Sequence, residues 1–221
     1  MDNGNRKTES LIQKIKVCSL NCRGLTAKEK KLNVYNFLRQ NKINIACLQE
    51  TYCTNKSVRS FNHHFNNEII HHSLSDSCHS RGVSILINKK FPFTITSVYD
   101  KGDGRSILIN GKIDNELVTV VNMYAPNNNN ERNEYFDNIS NWIIDNSEEE
   151  SSNVVICGDL NTVADTIDRL NGNLDFTSNK FIEFCNRLKV IDSFRNNNED
   201  TKQFSYNHPT NTKQNRLHSY F

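Results

Sequence analysis

Apolar and polar positions alternate through residues 15–20 and stop at Asn21, the pattern of a half-buried strand. Residues 26–41 then carry Leu32, Tyr35 and Leu38 at helical spacing. Thr26 stands at the cap position with Glu29 three residues on, a capping-box arrangement. A short apolar run, residues 43–48, ends at Gln49-Glu50. Strand, helix and strand within about 35 residues is the βαβ pattern. From Glu68 the pattern turns to strands, at residues 83–87, 93–99, 106–113 and 117–123, with Asp114-Asn115 placed for a tight hairpin between the last two. A helix is predicted over 131–145 with Tyr135, Ile139 and Trp142 as its stripe. Residues 153–157 read as a buried strand breaking at Gly158-Asp159, residues 178–188 as a helix, and residues 204–206 as a last short strand. Strands and helices interleave along one chain with no repeat and no long linker, so the expected architecture is an α/β sandwich.

Composition narrows the class. A chain of 221 residues and 25.5 kDa is long enough to bury a substantial core as one domain. We expect residues 1–13 to be a flexible lead-in and 14–221 the domain. No apolar run approaches the roughly 18 residues of a membrane span, and the polar first ten residues lack the apolar segment of a secretory signal. The seven cysteines are odd in number and form no CxxC pair, which reads as free thiols in a reducing compartment, nuclear or cytoplasmic. Net charge is +2 but uneven: residues 1–42 hold ten basic side chains against three acidic, and residues 131–200 six against fifteen. Charge alone supports a weak preference for polyanions.

The chemistry is marked by what stands where the apolar strands stop. These positions are Asn21, Glu50, Tyr124 (followed by Ala125-Pro126-Asn127) and Asp159 (followed by Leu160-Asn161). Any one of them alone is an ordinary turn residue. Together they bring carboxylate, amide and phenol oxygens to the C-terminal ends of four strands, which in α/β folds line a common rim. Hard oxygens without His or Cys favour Mg²⁺, with Mn²⁺ as substitute, over Zn²⁺. Metal-assisted phosphodiester hydrolysis is the reaction class that follows.

Ser19 to Leu25 (SLNCRGL), Leu48-Gln49-Glu50-Thr51, Asn122 to Asn127 (NMYAPN) and Gly158-Asp159-Leu160-Asn161, in this order, resemble the motif series of the endonuclease/exonuclease/phosphatase superfamily. The likeness is to the apurinic-endonuclease-like domain of LINE-type retrotransposons; Arg81-Gly82-Val83, Asp168-Arg169 and Phe204-Ser205-Tyr206 extend it. The resemblance implies a four-layered sandwich of two packed mixed β-sheets flanked by helices, lacking the last strand. It implies a monomer that nicks DNA internally with Mg²⁺ and needs no membrane. It assigns Glu50 and Asn21 to the metal, Tyr124 to the scissile phosphate, Asp159 to proton transfer and Asn161 to orienting the phosphate. Ser205 and Arg23 fall to the DNA backbone.

The chain also departs from that pattern. Residues 215–221 match a strand whose Asp orients a catalytic histidine, but His218 replaces the Asp and the terminal Ser-Asp-His motif is missing. That leaves two further expectations. The domain is C-terminally truncated with an uncovered sheet edge, and the alternatives to an active nuclease are a catalytically impaired remnant or, within the same fold, a phosphatase. His63, His64, His71, His72, Cys78 and His79 cluster in what reads as a polar loop, in no zinc-site spacing. Cys18 and Cys22 read as core thiols, Trp142 as core, and Lys28, Lys30 and Lys31 as either a solvated or a DNA-facing helix side.

Overall fold

Strand β1 (Val17–Asn21) lies parallel to β2 (Ile45–Gln49), and helix α1 (Lys28–Gln40) crosses between them. After the short helix α2 (Val58–His64), β3 (Glu68–Ser73) and β4 (Val83–Asn88) complete a sheet of order β1-β2-β4-β3. Three antiparallel strands follow: β5 (Phe93–Asp100), β6 (Ser106–Ile113) and β7 (Glu116–Tyr124). Helix α3 (Asn129–Asn146) then returns the chain to β8 (Asn153–Asp159), parallel to β7. Helices α4 (Ser178–Leu188) and α5 (Ser193–Asn197) precede β9 (Tyr206–Asn207), β10 (Gln214–Asn215) and β11 (His218–Tyr220). The computed structural model describes residues 15–148, 153–169 and 172–203, and the backbone of β9, β10 and β11.

Burial on both faces explains the continuous apolar runs. In β2, Ile45 and Cys47 point into the core between the sheets, whereas Ala46 and Leu48 pack under α1 and α2 with Val34, Leu38, Phe61 and Phe65. In the second sheet Ile107, Ile109 and Val120 meet them from the other side. Leu108, Val121 and Ile156 instead face Phe136, Ile139, Phe181 and Phe184 of α3 and α4. Helix, sheet, sheet, helix is the four-layered sandwich expected. The Asp114-Asn115 hairpin also forms, with φ of 51° and 85° at the two turn residues as a mirror-image turn requires.

The local readings that failed did so for tertiary reasons. Helix α1 begins behind Ala27 with no side-chain cap, so Thr26 and Glu29 do not form a capping box. Its buried face is Lys31, Val34 and Leu38, and Leu32 is 50% exposed. Leu25, buried at 2%, fixes the entry of the chain. The Lys31 stem lies between helices, its Nζ reaching Ser60 Oγ on α2 at 3.4 Å. His71 and His72 belong to β3 and not to a polar loop; the His72 ring bonds Ser84 Oγ and Asn62 Oδ1. The strand read at 204–206 is β9, which starts at Tyr206 and is followed by β10 and β11; Phe204 and Ser205 lie outside the described residues. β11 lines the free side of β8, setting His218 opposite Asp159 in antiparallel register, so that edge is covered. Among the described residues β1 remains an edge strand.

Parallel strands β7 and β8 are unusually intimate at Gly158, where an added Cβ would lie 2.3 Å from the Met123 carbonyl oxygen. That oxygen belongs to backbone and cannot swing away. Gly158→Ala is therefore expected to cost roughly 1–3 kcal/mol, the range for overpacking, read as a lowered midpoint in urea unfolding. An unchanged midpoint would show that the two strands have slack.

Candidate active site

Two pairs of parallel strands end at one level. β1 ends at Asn21, β2 delivers Glu50 just past its end, β7 ends at Tyr124 and β8 at Asp159; Tyr124 and Asp159 are register partners. The sheets stack, so these four side chains meet. The Asn21 amide nitrogen donates to Glu50 Oε1 at 2.6 Å and to Asp159 Oδ2 at 2.8 Å. Asn21 Oδ1 accepts from the Arg23 backbone N–H at 3.0 Å, which fixes which way the amide points. The Tyr52 hydroxyl donates to the other Glu50 oxygen at 2.8 Å. Asp159 is 5% exposed and Glu50 half-buried. Two carboxylates thus share one amide in a partly desolvated recess, where like charges repel strongly unless a cation or hydrogen bonds offset them.

The phenols feel this charge. Burial, then the Glu50 carboxylate and then Asp159 push Tyr124 well above its ordinary ionisation range, against the nearby Arg105. Burial and the hydrogen bond to Glu50 push Tyr52 up to about 12. Both hydroxyls stay protonated, hence donors, across the physiological range. The Arg105 guanidinium sits 5.2 Å from the Tyr124 ring centroid and donates to the Tyr124 carbonyl at 3.1 Å.

Backbone strain gathers at the same place. Arg23, Glu50, Tyr52 and Asn161 all adopt left-handed φ, at 46°, 48°, 56° and 52°, a conformation costing of order 1 kcal/mol for a residue with a Cβ. Hydrogen bonds hold each turn. Gly24 N donates to Glu50 O at 2.6 Å, and Thr51 N to Gly82 O at 2.9 Å. Gly24 has φ +86° and faces the Tyr52 ring, which a Cβ would meet at 2.6 Å. Asn161 donates its side-chain amide to Ala125 O at 2.8 Å and its backbone N–H to Asp159 Oδ1 at 3.2 Å, so it braces the two loops beside Asp159.

Beneath the site lies a buried amide layer that pattern reading missed. Gln49 Nε2 donates to Asn122 Oδ1 at 2.7 Å, and the Asn122 amide donates to Leu48 O at 3.0 Å and Ser84 O at 2.9 Å. Both residues are 0% exposed. These bonds join the two sheets directly below Glu50 and Tyr124. The available signal was two amides inside otherwise apolar strands. Tyr52, Arg105 and Arg132 were missed as well. Arg132, 4% exposed, holds the carbonyls of Pro126 and Asn127 at 3.0 Å and Thr177 Oγ1 at 2.9 Å; no sequence signal marks it. Asp168 and Arg169 do not enter the site. Asp168 pairs with Arg195 and Arg169 with Asp175, which ties the loop after β8 to α4 and α5. Arg23 is exposed at the rim, and Ser205 lies outside the described residues.

A stacked pair of mixed sheets with its polar side chains at one end of two parallel strand pairs is the fold of the apurinic (AP) endonucleases. An AP endonuclease from Archaeoglobus fulgidus superposes with a TM-score of 0.73 at 17% identity, covering 94% of this chain and 86% of that one. The AP endonuclease LMAP from Leishmania major gives 0.71 at 16% identity, with 93% and 78% covered. The model of the Endonuclease/Exonuclease/phosphatase family matches residues 18–218, and the chain belongs to that family. It is also 25% identical over 194 residues to the Transposon TX1 uncharacterized 149 kDa protein of Xenopus laevis, an alignment covering 87% of this chain and 14% of that protein. The chain therefore spans about one-seventh of that relative's length. Among the described residues no helix is long and apolar enough to cross a membrane, and no group of three or more His, Cys, Asp or Glu clusters as a metal site.

Truncating Asn122 would leave the Gln49 amide and two carbonyls short of a buried partner. Asn122→Ala is expected to lower stability by about 2–3 kcal/mol, the penalty of orphaned buried polar groups. Urea titration followed by circular dichroism measures it. Wild-type stability in the variant would mean that the amide layer is dispensable.

Proposed function

We propose that this domain hydrolyses phosphodiester bonds of DNA, cutting internally with Mg²⁺, as the nicking domain of a retroelement protein. The observation that carries the reading is the convergence of Glu50 and Asp159 on the single Asn21 amide, with Tyr124 beside them. The side chains that converge suit a hard divalent cation: two carboxylates and a phenol, with no thiolate or imidazole among them. Glu50 would hold Mg²⁺, which when bound supplies positive charge against the phosphate oxygens; Asn21 would join it through Oδ1 only by turning its amide over and releasing the Arg23 N–H, because here its nitrogen faces the two carboxylates.

The remaining work falls to the chain's own groups. Asp159, buried and adjacent to the Asn21 amide, moves the proton of the attacking water or of the leaving oxygen. Tyr124 stays neutral and so offers a hydrogen-bond donor to a phosphate oxygen without adding charge. Asn161 holds the Ala125 and Asp159 loops at a set separation, and Arg105 braces Tyr124 from behind. The strained turns at Glu50 and Asn161 fix these groups before substrate arrives, which reduces reorganisation during the reaction. The transposon relative supports DNA as substrate over a phosphoinositide or other phosphomonoester, and DNA as substrate makes the nucleus the expected compartment.

Asp159→Asn keeps shape and removes the proton acceptor. It is expected to slow nicking of supercoiled plasmid in Mg²⁺ by about 10²–10⁴ while the far-ultraviolet spectrum stays as in wild type. Wild-type nicking by this variant would reduce Asp159 to a turn residue. Glu50→Gln removes the anionic ligand, so calorimetry should show Mn²⁺ binding markedly weakened. Equal binding by both chains would exclude Glu50 from the metal site.

A further inference from the structure

The chain carries a cleft of about 430 Å³ that has no part in the site above. It lies at the opposite pole of the first sheet. Asn44, in its wall, precedes β2, whereas Glu50 follows it, and six residues of extended chain separate them by ~20 Å. Three turns build the walls, and backbone hydrogen bonds lock them together. Asn88 N donates to Asn44 O at 2.9 Å and Lys89 N to Asn67 O at 3.1 Å, joining the turns that follow α1, α2 and β4.

The lining pairs opposed chemistries. Leu38, Ile43 and Phe91 supply apolar surface, and Asn44, Asn67 and Asn88 supply amides. Arg39, Lys42, Lys89 and Lys90 ring the cleft, all exposed, and among the described residues none of them forms an ion pair. The one acid in the lining, Glu68, is 9% exposed and more than 4 Å from any of them; burial raises its carboxyl, against the charges of Lys89 and Arg39. Two of the cations sit in turns of defined shape. Lys42 holds a left-handed φ of 53° at the end of α1, and Lys90 N donates to Asn88 Oδ1 at 2.9 Å. An excess of positive charge, four exposed cations against one buried acid, around a concave, amide-bearing and partly apolar recess suits phosphates together with an unpaired base. A pocket of a few hundred Å³ admits one nucleotide, whereas a duplex is too wide to enter.

We propose that this cleft is a second nucleic-acid site, which takes a single-stranded segment at the pole opposite the strand-end rim and needs no metal. Strands held at the two poles would then bind independently, so one domain could keep a single strand while its other end engages DNA.

The test is fluorescence anisotropy of a short fluorescein-labelled single-stranded oligonucleotide in EDTA, as DNA and as RNA, over a range of salt concentrations. The triple variant Lys42→Asn, Lys89→Gln, Lys90→Gln removes three exposed charges without touching the core, and Asn suits the left-handed position. It is expected to lose about tenfold or more in affinity, with the slope of log K against log salt reduced by about 2, since each phosphate neutralised contributes ~0.7 for single strands. A matched control, Lys56→Gln, Lys101→Gln, Lys112→Gln, changes net charge equally at exposed positions outside the cleft and should lose little. Equal loss in the two variants would reduce the effect to general basicity, and no loss in either would remove the site; both outcomes overturn the proposal. Plasmid nicking in Mg²⁺ by the cleft variant should match wild type. If wild type does not nick, the catalytic reading falls while the anisotropy result still decides the cleft.

Discussion

Two parallel strand pairs, one in each sheet, stop at the same height, and a buried amide pair holds the sheets in that register. If β7 and β8 slid past β2 by one residue, about 3.3 Å, Tyr124 and Asp159 would no longer stand level with Asn21 and Glu50. Gln49 and Asn122 oppose such a slip, because any displacement leaves fully buried amide groups without partners, a penalty larger than the net gain of an ordinary hydrogen bond. Within the second sheet, the close approach of Gly158 to Met123 fixes β8 against β7. With the sheets in register, Asn21 reaches both carboxylates at once.

The rim is held by ordinary means placed under tension. Four non-glycine residues in left-handed turns surround two carboxylates, and the strain is carried by hydrogen bonds to neighbouring loops rather than by the core. Arg132 and the two ion pairs of Asp168 and Arg169 fasten the loops after β7 and β8 to α4 and α5. The site consequently rests on all four layers, and substitutions far from Glu50 can move it. Charge is segregated as well. Acidic groups gather at the rim, where a cation would be held, and exposed basic groups ring the opposite cleft.

Sequence patterning located most strands, the hairpin, the long helices and the four strand-end residues, because each is dictated over a few residues by alternation, turn chemistry or an apolar run. Both-face burial made β2 and β8 conspicuous as continuous apolar stretches. The motif order pointed to the family, to which the chain belongs. What local pattern could not supply was the rotation of α1. There Leu25 and the α1–α2 contact through Lys31 override the Thr26 capping signal. Nor could it supply the strand β3, whose histidines read as loop until β4 pairs with them.

By itself, then, the sequence determined which residues stand at strand ends and which chemistry they can offer, since hydrophobic period and residue type are properties of short segments. Only the tertiary structure decided that Asn21 lies between Glu50 and Asp159, that Gln49 meets Asn122 across the sheets, and that Arg105 and Arg132 brace the rim. Those contacts join residues 29 to 138 positions apart in the chain for Asn21 and 73 apart for the amide pair. Separations of that size leave no trace in local period, because they are set by how the two sheets stack.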